Sequence, residues 1–368
     1  MKNISFPFVT LFLFVATISF AQAPAGYYTS AEGQSGEALR TALHNIIKTH
    51  TTLSYNQLWQ SFYTTDARPD NGKVWDMYSD RPGGTPAYYF TFGSDQCGNY
   101  SGEGDCYNRE HSVPKSWFGG SVAPMYTDLF HLIPTDGYVN SKRSNLPFGK
   151  VTNATWTSTN GSKLGPCSYP GCSGTAFEPI DAYKGDLARG FFYMSVCYKD
   201  KNLGQTGESV FSGSELVAWA RDMFVAWHEA DPVSEKEINR NNVIYSNIQH
   251  NRNPFIDCPE LVDYLFGSRT NEPWYPTCVD WVEIPENEMF TTSCSLYPNP
   301  AAGNVTIESS ENQIITVEIC DLTGRELLSR ECIGAGTCQM DLGDLSAGTY
   351  FVKVKTLRTV EVMKLVVR

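Results

Sequence analysis

The sequence predicts an α+β protein of two domains, a mostly helical N-terminal domain followed by a C-terminal all-β sandwich of the immunoglobulin-like kind. Across residues 35–266 apolar residues recur every three or four positions, which is the spacing of amphipathic helices. From Cys294 onward apolar and polar residues alternate, as they do in half-buried strands. The chain of 368 residues also has the length of about two domains.

Most predicted elements of the N-terminal domain are helices. Helices are predicted from Ser35 onward and over Tyr55–Phe62, Tyr138–Ser144, Asp186–Tyr198, Ser214–Glu229, Ser234–His250 and Pro259–Phe266. Strands are predicted over Val74–Met77 and Tyr88–Phe92, because a turn-forming run of Pro and Gly separates two short apolar segments. Pro254 is expected to end the helix before it, since proline cannot continue a helix.

The C-terminal domain is predicted to contain strands over Ile315–Cys320, Gly348–Lys355 and Val362–Val367. Residues 281–293 before it are acidic and contain proline, so they are predicted to form a linker. The predicted domains are therefore residues 22–280 and residues 294–368. A sandwich of this size can fold by itself.

The N-terminus predicts a secreted protein. A short start with one basic residue, Met1–Asn3, precedes an apolar run over Ile4–Phe20, and Ser19 and Ala21 are the small residues that a signal peptidase needs. Residues 1–21 are therefore predicted to be a signal peptide. A membrane anchor is the alternative, but the run is short and no stop-transfer flank follows. No other apolar run is long enough to cross a bilayer, so stable membrane insertion is not expected.

The eleven cysteines fit an oxidising compartment. Cys97 with Cys106, and Cys167 with Cys172, could each close a small loop, and both pairs are interpreted as local disulfides. A zinc site formed by these four residues is the alternative, but their spacing is that of neither a zinc ribbon nor a zinc finger. The odd number of cysteines leaves at least one thiol free or paired with another chain.

The net charge of −12 argues against a protein that coats nucleic acid, because such proteins are normally basic. It does not exclude an enzyme that binds a few phosphates in a local basic groove. The charge therefore favours modest affinity for nucleic acid, with a metal ion supplying much of the positive field.

Two polar segments of the N-terminal domain contain the candidate site. Arg109, Glu110 and His111 are consecutive, and such an ionisable run is costly to bury unless each charge has a partner. A second polar cluster follows at residues 136–145. We predict that the two segments close over one active site that hydrolyses phosphodiester bonds.

This chemistry needs a base for the attacking water and positive charge near the phosphate. A histidine with a near-neutral pKa suits the first task, and the oxygens of Glu110 and Asn140 suit a hard cation such as Mg²⁺. Taken singly, His111 could be a hydrogen-bonded histidine at a strand end and Glu110 the partner of an arginine. Asn140 and Asn145 could be helix caps, and Arg143 a solvated charge.

The ordered set, however, resembles a known family. Residues 108–118 read Asn-Arg-Glu-His-Ser-Val-Pro-Lys-Ser-Trp-Phe, and residues 128–145 read Asp-Leu-Phe-His-Leu-Ile-Pro-Thr-Asp-Gly-Tyr-Val-Asn-Ser-Lys-Arg-Ser-Asn. In this order they closely resemble the endonuclease I family of secreted or periplasmic non-specific nucleases, whose active site is a ββα-metal, or His-Me, finger. Further matches extend to residues 251–257, and the resemblance covers roughly residues 35–266.

The resemblance implies a role for each central residue. His111 would be the general base that deprotonates the attacking water. Glu110 and Asn140 would hold a Mg²⁺ ion, with Mn²⁺ or Ca²⁺ as alternatives. Products would carry 5′-phosphates. Because the metal contacts only the nucleic-acid backbone, both DNA and RNA are expected substrates, without sequence readout.

The chain departs from the family's pattern after the general base. Better-studied members have a longer insert there with an arginine that steadies the leaving group, whereas residues 112–127 contain no arginine. We assign that role to Arg143 of the second polar cluster, with Arg109 and Arg189 as alternatives. His131 is expected to be structural. Substrate phosphates are predicted to contact Arg109, Lys115, Lys142, Asn145, Arg189 and Arg252.

The C-terminal domain resembles a second known module. The segments Leu296–Pro300, Asp321–Arg325, Asp344–Tyr350 and Lys364–Arg368 together look like a type IX secretion sorting domain. The resemblance implies export by the outer-membrane secretion machinery and an extracellular or cell-surface protein. A carbohydrate-binding or adhesion sandwich is the alternative, but it would need an exposed aromatic platform, which this segment does not obviously supply.

The sequence thus predicts an extracellular, Mg²⁺-dependent, non-specific endonuclease that is monomeric and carries an export sandwich. The alternative from another class is a secreted nucleic-acid-binding or adhesion protein on an inactive nuclease scaffold. The intact trio of Glu110, His111 and Asn140 argues against that alternative. A Cys–His hydrolase is disfavoured because no cysteine lies in an appropriate setting.

Overall fold

The computed structural model describes residues 23–205, 210–276, 294–309, 314–321, 325–343, 345–356 and 360–368. The predicted signal peptide and the predicted linker lie outside these described residues. The chain divides into two compact units, Met1–Val282 and Glu283–Arg368. Each unit is described by itself below.

The first unit combines helices with short strands. Its helices are α1 (Gly36–Ile47), α2 (Gln57–Thr65), α3 (Gly137–Arg143), α4 (Lys184–Cys197), α5 (Ala218–Ala230), α6 (Glu235–Val243), α7 (Pro254–Asp257) and α8 (Leu261–Leu265). Its strands are β1 (Tyr107–His111), β2 (Leu132–Asp136), β3 (Trp156–Thr157), β4 (Lys163–Pro166), β5 (Thr175–Glu178), β6 (Phe211–Ser212) and β7 (Glu215–Leu216). Short 3₁₀ turns cover Thr29–Ala31, Lys115–Phe118, Met125–Thr127 and Asp181–Tyr183, and a π turn over Ile244–Ile248 continues α6.

The predicted helices of the first unit are confirmed, with shifted ends. Helix α5 begins later than Ser214, because the preceding residues form the small β6–β7 hairpin. The helix before Pro254 already ends at Ile248, so the prediction that Pro254 ends it is wrong. Pro254 instead opens α7 at the first helical position, where its missing N–H costs nothing. The side chain of Asn253 caps that helix by accepting a hydrogen bond from the Phe255 N–H at 3.0 Å.

The strand prediction for Val74–Met77 and Tyr88–Phe92 is wrong. The two segments share a hydrogen bond from the Val74 N–H to the Phe90 carbonyl (2.9 Å), but neither forms a strand. Val74 and Phe90 are instead buried against Tyr107 in a small apolar cluster. Burial of these side chains therefore accounts for the apolar pattern without a ladder of strand hydrogen bonds.

Helix α4 lies at the centre of the first unit. Every residue from Leu187 to Cys197 on it is buried, as expected for an interior helix that is apolar on all sides. It packs against α1, α5 and α7. A Cβ at Gly190 would lie 3.1 Å from the carbonyl oxygen of Phe130, so glycine allows α4 to approach the segment before β2 closely.

Strands β1 and β2 and helix α3 position the candidate site. The strands pair antiparallel, with Tyr107 opposite Asp136 and His111 opposite Leu132. Helix α3 begins directly after β2, and the Asp136 carboxylate caps it by accepting a hydrogen bond from the Val139 N–H at 2.8 Å. Both polar segments of the sequence are thereby held in one unit of two strands and a helix.

The second unit is all-β, as predicted. Its strands are β8 (Cys294–Tyr297), β9 (Asn304–Ser309), β10 (Ile314–Cys320), β11 (Glu326–Ala335), β12 (Thr337–Asp341), β13 (Gly348–Thr356) and β14 (Val360–Val367). They form two sheets, of order β11-β10-β13-β14 and β12-β9-β8, over one apolar core. An immunoglobulin-like topology stays a prediction.

Disulfides close local loops in both units. Cys97 pairs with Cys106 and Cys167 with Cys172, which confirms the predicted pairs, and Cys332 pairs with Cys338 in the second unit. The free Cys197 is buried in α4. Within the described ranges, no helix combines the length and the apolar composition that crossing a membrane requires.

The start of α4 provides a test of the packing. A Cβ at Gly185 would overlap the Asp231 carbonyl oxygen, so Gly185→Ala is expected to destabilise the fold by about 1–3 kcal/mol. Gly98→Ala is the matched control, because nothing lies within 4 Å of a Cβ there, and it should change stability by less than about 0.5 kcal/mol. Urea unfolding measures both, and equal midpoints would contradict this packing.

Candidate active site

The metal-ligand candidates lie together where α3 packs against β1. Asn108 and Glu110 are two residues apart on a strand and share one face. Asn140 and Arg143 are three apart on a helix and also share a face. The Asn140 Nδ2 donates to Asn108 Oδ1 at 2.7 Å, and Arg143 Nη1 lies 2.9 Å from Glu110 Oε1. This register places Asn140 on the side of β1 from which Glu110 projects.

Glu110 is a buried carboxylate with one oxygen engaged. Its Oε1 pairs with Arg143 and accepts a hydrogen bond from the Tyr78 hydroxyl at 3.1 Å. Burial raises the pKa of Glu110 to about 7, against the lowering effect of Arg143 and Tyr78. Among the described contacts none engages Glu110 Oε2 or Asn140 Oδ1, so two oxygens of the kind that hard cations prefer remain.

His111 lies at the end of β1 with its imidazole oriented by a carbonyl. Its Nε2 lies 3.0 Å from the carbonyl oxygen of Tyr126. A carbonyl can only accept, so in the neutral ring Nε2 carries the proton and Nδ1 is the nitrogen that can take one up. Burial, and then the nearby His131, lower the pKa of His111 to about 3, which keeps the ring neutral.

Arg143 lies beneath the site and is completely buried. It donates from Nη1 to the His111 carbonyl at 2.7 Å and from Nη2 to the Ser112 carbonyl, in addition to its ion pair with Glu110. Its guanidinium also lies 4.5 Å from the ring centroid of Phe148. All these contacts are with protein, so the structure does not expose Arg143 for the predicted contact with the leaving group.

Two of the predicted phosphate-binding cations lie beside aromatic rings near His111. The Arg109 guanidinium lies 3.5 Å from the Tyr55 ring centroid and 4.2 Å from that of Trp59, and it donates to the Tyr55 carbonyl at 2.8 Å. Lys115 is exposed, with its Nζ 5.4 Å from the Tyr126 ring centroid. The rings of Tyr55 and Tyr126 stack at 4.7 Å.

Lys142 and Asn145 lie at and just beyond the end of α3. Lys142 is partly exposed, with its Nζ 4.9 Å from the Tyr138 ring centroid. Asn145 is exposed, and its main-chain carbonyl accepts a hydrogen bond from the Trp117 indole at 3.2 Å. Both side chains are therefore open to solvent on the α3 side of the site.

The other two predicted phosphate-binding arginines are buried. Arg189 is completely buried and forms an ion pair with Glu237, with Nη2 2.8 Å from Oε2. Arg252 is 2% exposed and forms an ion pair with Asp257 at 2.7 Å. Their charges are satisfied inside the fold, so the structure gives both a structural role and does not bring them to the site.

Sequence reasoning missed three residues that shape the site. Tyr78 holds Glu110, the Tyr126 carbonyl holds His111, and Asn108 holds Asn140. Asn108 was within reach of the sequence, because it alternates with Glu110 on a strand. A single tyrosine and a main-chain carbonyl have no pattern that could have revealed them.

A second group of ligand-type atoms lies in the core. Atoms of His50, Asp128 and Cys197 are within 4.8 Å of one another. The Asp128 carboxylate accepts hydrogen bonds from the hydroxyls of Tyr193 (2.8 Å) and Tyr198 (2.7 Å). Hydroxyl groups of the protein thus already satisfy this buried carboxylate. The Tyr198 hydroxyl also lies 3.4 Å from His50 Nε2, and the Cys197 thiol donates to the Ile47 carbonyl at 3.7 Å.

A neutral imidazole with one available nitrogen, beside two oxygen donors, is the equipment of a hydrolase that activates water. The chain belongs to the endonuclease I family, since residues 35–260 match the family described as Endonuclease I. Residues 295–368 match the secretion system C-terminal sorting domain. The protein is therefore a nuclease that is secreted or displayed at the cell surface, with a type IX sorting domain at its C-terminus.

Relatives with assigned names agree with this classification. The chain is 37% identical over 265 residues to an extracellular ribonuclease of Bacillus amyloliquefaciens, covering 69% of this chain and 84% of the relative. It is 35% identical over 245 residues to an extracellular ribonuclease of Bacillus subtilis (strain 168), covering 65% and 78%. It is 31% identical over 131 residues to Endonuclease-1 of Buchnera aphidicola subsp. Baizongia pistaciae (strain Bp), covering 35% and 46%.

The ion pair beneath the site provides a second test. Arg143→Ala leaves the buried Glu110 carboxylate unpaired, so we expect a loss of about 3–5 kcal/mol in unfolding free energy. The loss should be smaller in a Glu110→Gln background, because no buried charge is then left behind. Arg221→Ala, in an exposed ion pair, is the control and should change stability by less than about 0.5 kcal/mol. Additive losses in the double variant would exclude this coupling.

Asp76 provides a test of pH dependence. It is 2% exposed, and burial, with the nearby Asp136 charge, raises its pKa from 3.8 to about 7. The folded state then favours protonated Asp76, so this stability is complete below about pH 4 and is lost as pH rises through 7. Relative to Asp76→Asn, the wild type should lose stability over this range, by at most about 1.4 kcal/mol per unit of pKa shift.

Asp105 is the matched control for Asp76. Hydrogen bonds from the backbone N–H groups of Ser101 and Gly102 lower the pKa of Asp105. This stability is present above the unfolded pKa and is lost on acidification, so Asp105→Asn should give the opposite trend. If the unfolding free energies of wild type and Asp76→Asn changed with pH in parallel, the raised pKa of the buried Asp76 would be ruled out.

Proposed function

We propose that this nuclease hydrolyses phosphodiester bonds of DNA and RNA without sequence preference, with His111 as the general base and one divalent cation at Glu110 and Asn140. The observation that carries the proposal is the register of α3 on β1. It leaves a carboxylate oxygen and an amide oxygen on one side of the strand that ends at His111. We further propose that β1, β2 and α3 are the family's ββα-metal finger.

The donor set fits a hard cation. Glu110 Oε2 and Asn140 Oδ1 are oxygen atoms of a carboxylate and an amide, which suit Mg²⁺, with Mn²⁺ and Ca²⁺ as alternatives. A site with only a few protein ligands suits Mg²⁺ in particular, because this ion retains several of its water ligands. Such an ion would supply positive charge for the pentacoordinate phosphorane and the departing 3′ oxygen.

His111 acts from the other side of the strand end. The imidazole stacks with the rings of Tyr55 and Tyr126. Because successive side chains of a strand point to opposite faces, this is the side of β1 away from Glu110. With the proton fixed on Nε2 by the Tyr126 carbonyl, Nδ1 removes a proton from water as its oxygen attacks phosphorus. The scissile phosphate therefore lies across the end of β1, and cleavage leaves a 5′-phosphate.

The remaining cations bind the backbone without reading bases. Arg109, Lys115 and Lys142, together with the exposed Asn145, are the predicted phosphate contacts that stay open to solvent. Of the three arginines considered for the leaving group, Arg109 is the one that is not buried, so we assign the role to it. Relatives named for ribonuclease and for endonuclease activity are both compatible with such backbone contacts.

The second unit serves export in this proposal. It would engage the outer-membrane secretion machinery, and the nuclease would act outside the cell as a monomer. Because a few cations contact the phosphates, we expect the affinity for nucleic acid to fall as the salt concentration rises. A protein that binds nucleic acid on an inactive scaffold is the competing function.

A plasmid and RNA cleavage assay tests the proposal. EDTA should abolish cutting and added Mg²⁺ should restore it, and His111→Ala should lower kcat by about 100- to 10,000-fold because the general base is lost. Asn140→Ala should raise the Mg²⁺ concentration needed for half-maximal rate. His250→Ala, at an exposed histidine outside the site, is the control and should cut like wild type.

Four results would count against parts of this proposal. Cutting that persists in EDTA would exclude the cation, and wild-type cutting by His111→Ala would exclude the proposed base. Binding of nucleic acid without cutting under any metal would favour the inactive scaffold. Detection of 3′-phosphate ends would exclude the proposed direction of cleavage.

A further inference from the structure

His131 connects the two segments that hold His111. Its side chain is 1% exposed, just before β2, and it lies outside the set of metal and substrate residues. The Nε2 of His131 lies 2.6 Å from the Met125 carbonyl oxygen, the shortest of the contacts described around the site that involve a histidine. Its own carbonyl accepts hydrogen bonds from the N–H (2.9 Å) and the hydroxyl (3.0 Å) of Ser112, directly after His111.

The Met125 carbonyl belongs to the turn that orients the general base. The 3₁₀ turn Met125–Thr127 also contributes the Tyr126 carbonyl, which accepts the hydrogen bond from His111 Nε2. A single 3₁₀ turn of three residues is intrinsically weak, because its hydrogen-bond geometry is poor. Within the turn, the plane of the Tyr126 carbonyl is held by the hydrogen bond from the Thr127 N–H to the Pro124 carbonyl at 3.0 Å. Contacts from outside the turn add to this weak local hold.

The peptide bond transmits such a contact by one residue. The Met125 carbonyl and the Tyr126 N–H belong to the same planar unit, so fixing the carbonyl also fixes the N–H. The Tyr126 N–H donates to the Val122 carbonyl at 2.9 Å, which anchors the other side of the same plane. Only the two dihedral angles of Tyr126 then separate the anchored plane from the carbonyl that faces His111.

We propose that His131 is a positioning residue: by holding the Met125 carbonyl it aims the Tyr126 carbonyl at His111 and so fixes the imidazole with its proton on Nε2 and Nδ1 open to water. The consequence for catalysis rests on the proposed function, whereas the tautomer of His111 can be observed without it. The hydroxyl and N–H of Ser112, held by the His131 carbonyl, fix the strand end on which the imidazole stands.

The electrostatic setting is compatible with this role. The ring centroids of His111 and His131 are 5.6 Å apart. Burial lowers the pKa of His131, so its ring is neutral. The negative charge of the nearby Asp128 carboxylate raises the pKa of His131 and so partly offsets the effect of burial. The positive charges of Lys115 and Arg143 lower the pKa of His111 and so disfavour its protonation.

Two substitutions separate hydrogen bonding from packing. His131→Leu fills the space without a donor, and we expect kcat to fall by about 10- to 100-fold with KM changed by less than about threefold, because the base is misaligned while substrate contacts remain. His131→Gln retains an N–H donor at about the position of Nε2 for the Met125 carbonyl and should restore kcat to within about threefold of wild type.

His44→Leu is the control for general destabilisation. His44 is also buried, and its Nδ1 lies 3.1 Å from the Val196 carbonyl and 3.0 Å from the Cys197 carbonyl, in contacts separate from the site. It should lower the melting temperature while kcat stays at the wild-type value. Equal kcat losses in His44→Leu and His131→Leu would overturn the proposal, as would a folded His131→Leu variant with wild-type kcat.

The ring nitrogens report the tautomer directly. The full-length protein has six histidines, so ¹⁵N-histidine spectra can be assigned by single substitutions. We expect wild type and His131→Gln to show His111 protonated on Nε2, and His131→Leu to show a fraction protonated on Nδ1. A folded His131→Leu with His111 entirely protonated on Nε2 would overturn the proposal. If the wild type cuts no nucleic acid, the proposed function fails, and the spectra still decide whether His131 positions His111.

Discussion

The buried guanidinium of Arg143 is the interaction on which the site depends. It binds the Glu110 carboxylate and the main-chain carbonyls of His111 and Ser112 at once. A buried charge is tolerated when it is paired, and here both terminal nitrogens of the guanidinium are engaged, although its Nε has no hydrogen-bond partner among the described residues. Because α3 supplies Arg143 and β1 supplies its partners, this contact also fixes the helix on the strand and thereby places Asn140.

The rest of the site is divided between two sides of a strand end. On the side of α3 the candidate metal ligands are oxygen atoms of Glu110 and Asn140. Tyr78 holds the Glu110 side chain and Asn108 holds the Asn140 side chain through hydrogen bonds. On the other side His111 lies among the rings of Tyr55 and Tyr126, where burial keeps it neutral. A cation and a neutral base can thus act on one phosphate without competing for the same groups. This division follows from the alternation of side chains along β1.

The wrong strand prediction and the wrong expectation for two arginines both concern contacts that form only when the chain folds. The helices could be predicted because amphipathic spacing is a local property. Residues 74–77 were predicted to be a strand because their composition is mostly apolar. Whether apolar residues join a ladder depends on a partner strand elsewhere, and Val74 instead packs against Phe90 and Tyr107. In the same way the charges of Arg189 and Arg252 looked available for phosphate. In the folded chain Glu237, 48 residues away in the sequence, neutralises Arg189, and Asp257, 5 residues away, neutralises Arg252.

The sequence by itself determined the family and the sorting domain that follows the nuclease, and it predicted the trio of Glu110, His111 and Asn140, because these are carried by residue types in a fixed order. Only the tertiary structure decided which arginine lies under the site, which nitrogen of His111 is free and which oxygens remain for a cation. The physical reason is that hydrogen bonds and burial set these properties, and their partners, such as the Tyr126 carbonyl and the Tyr78 hydroxyl, are brought in by folding.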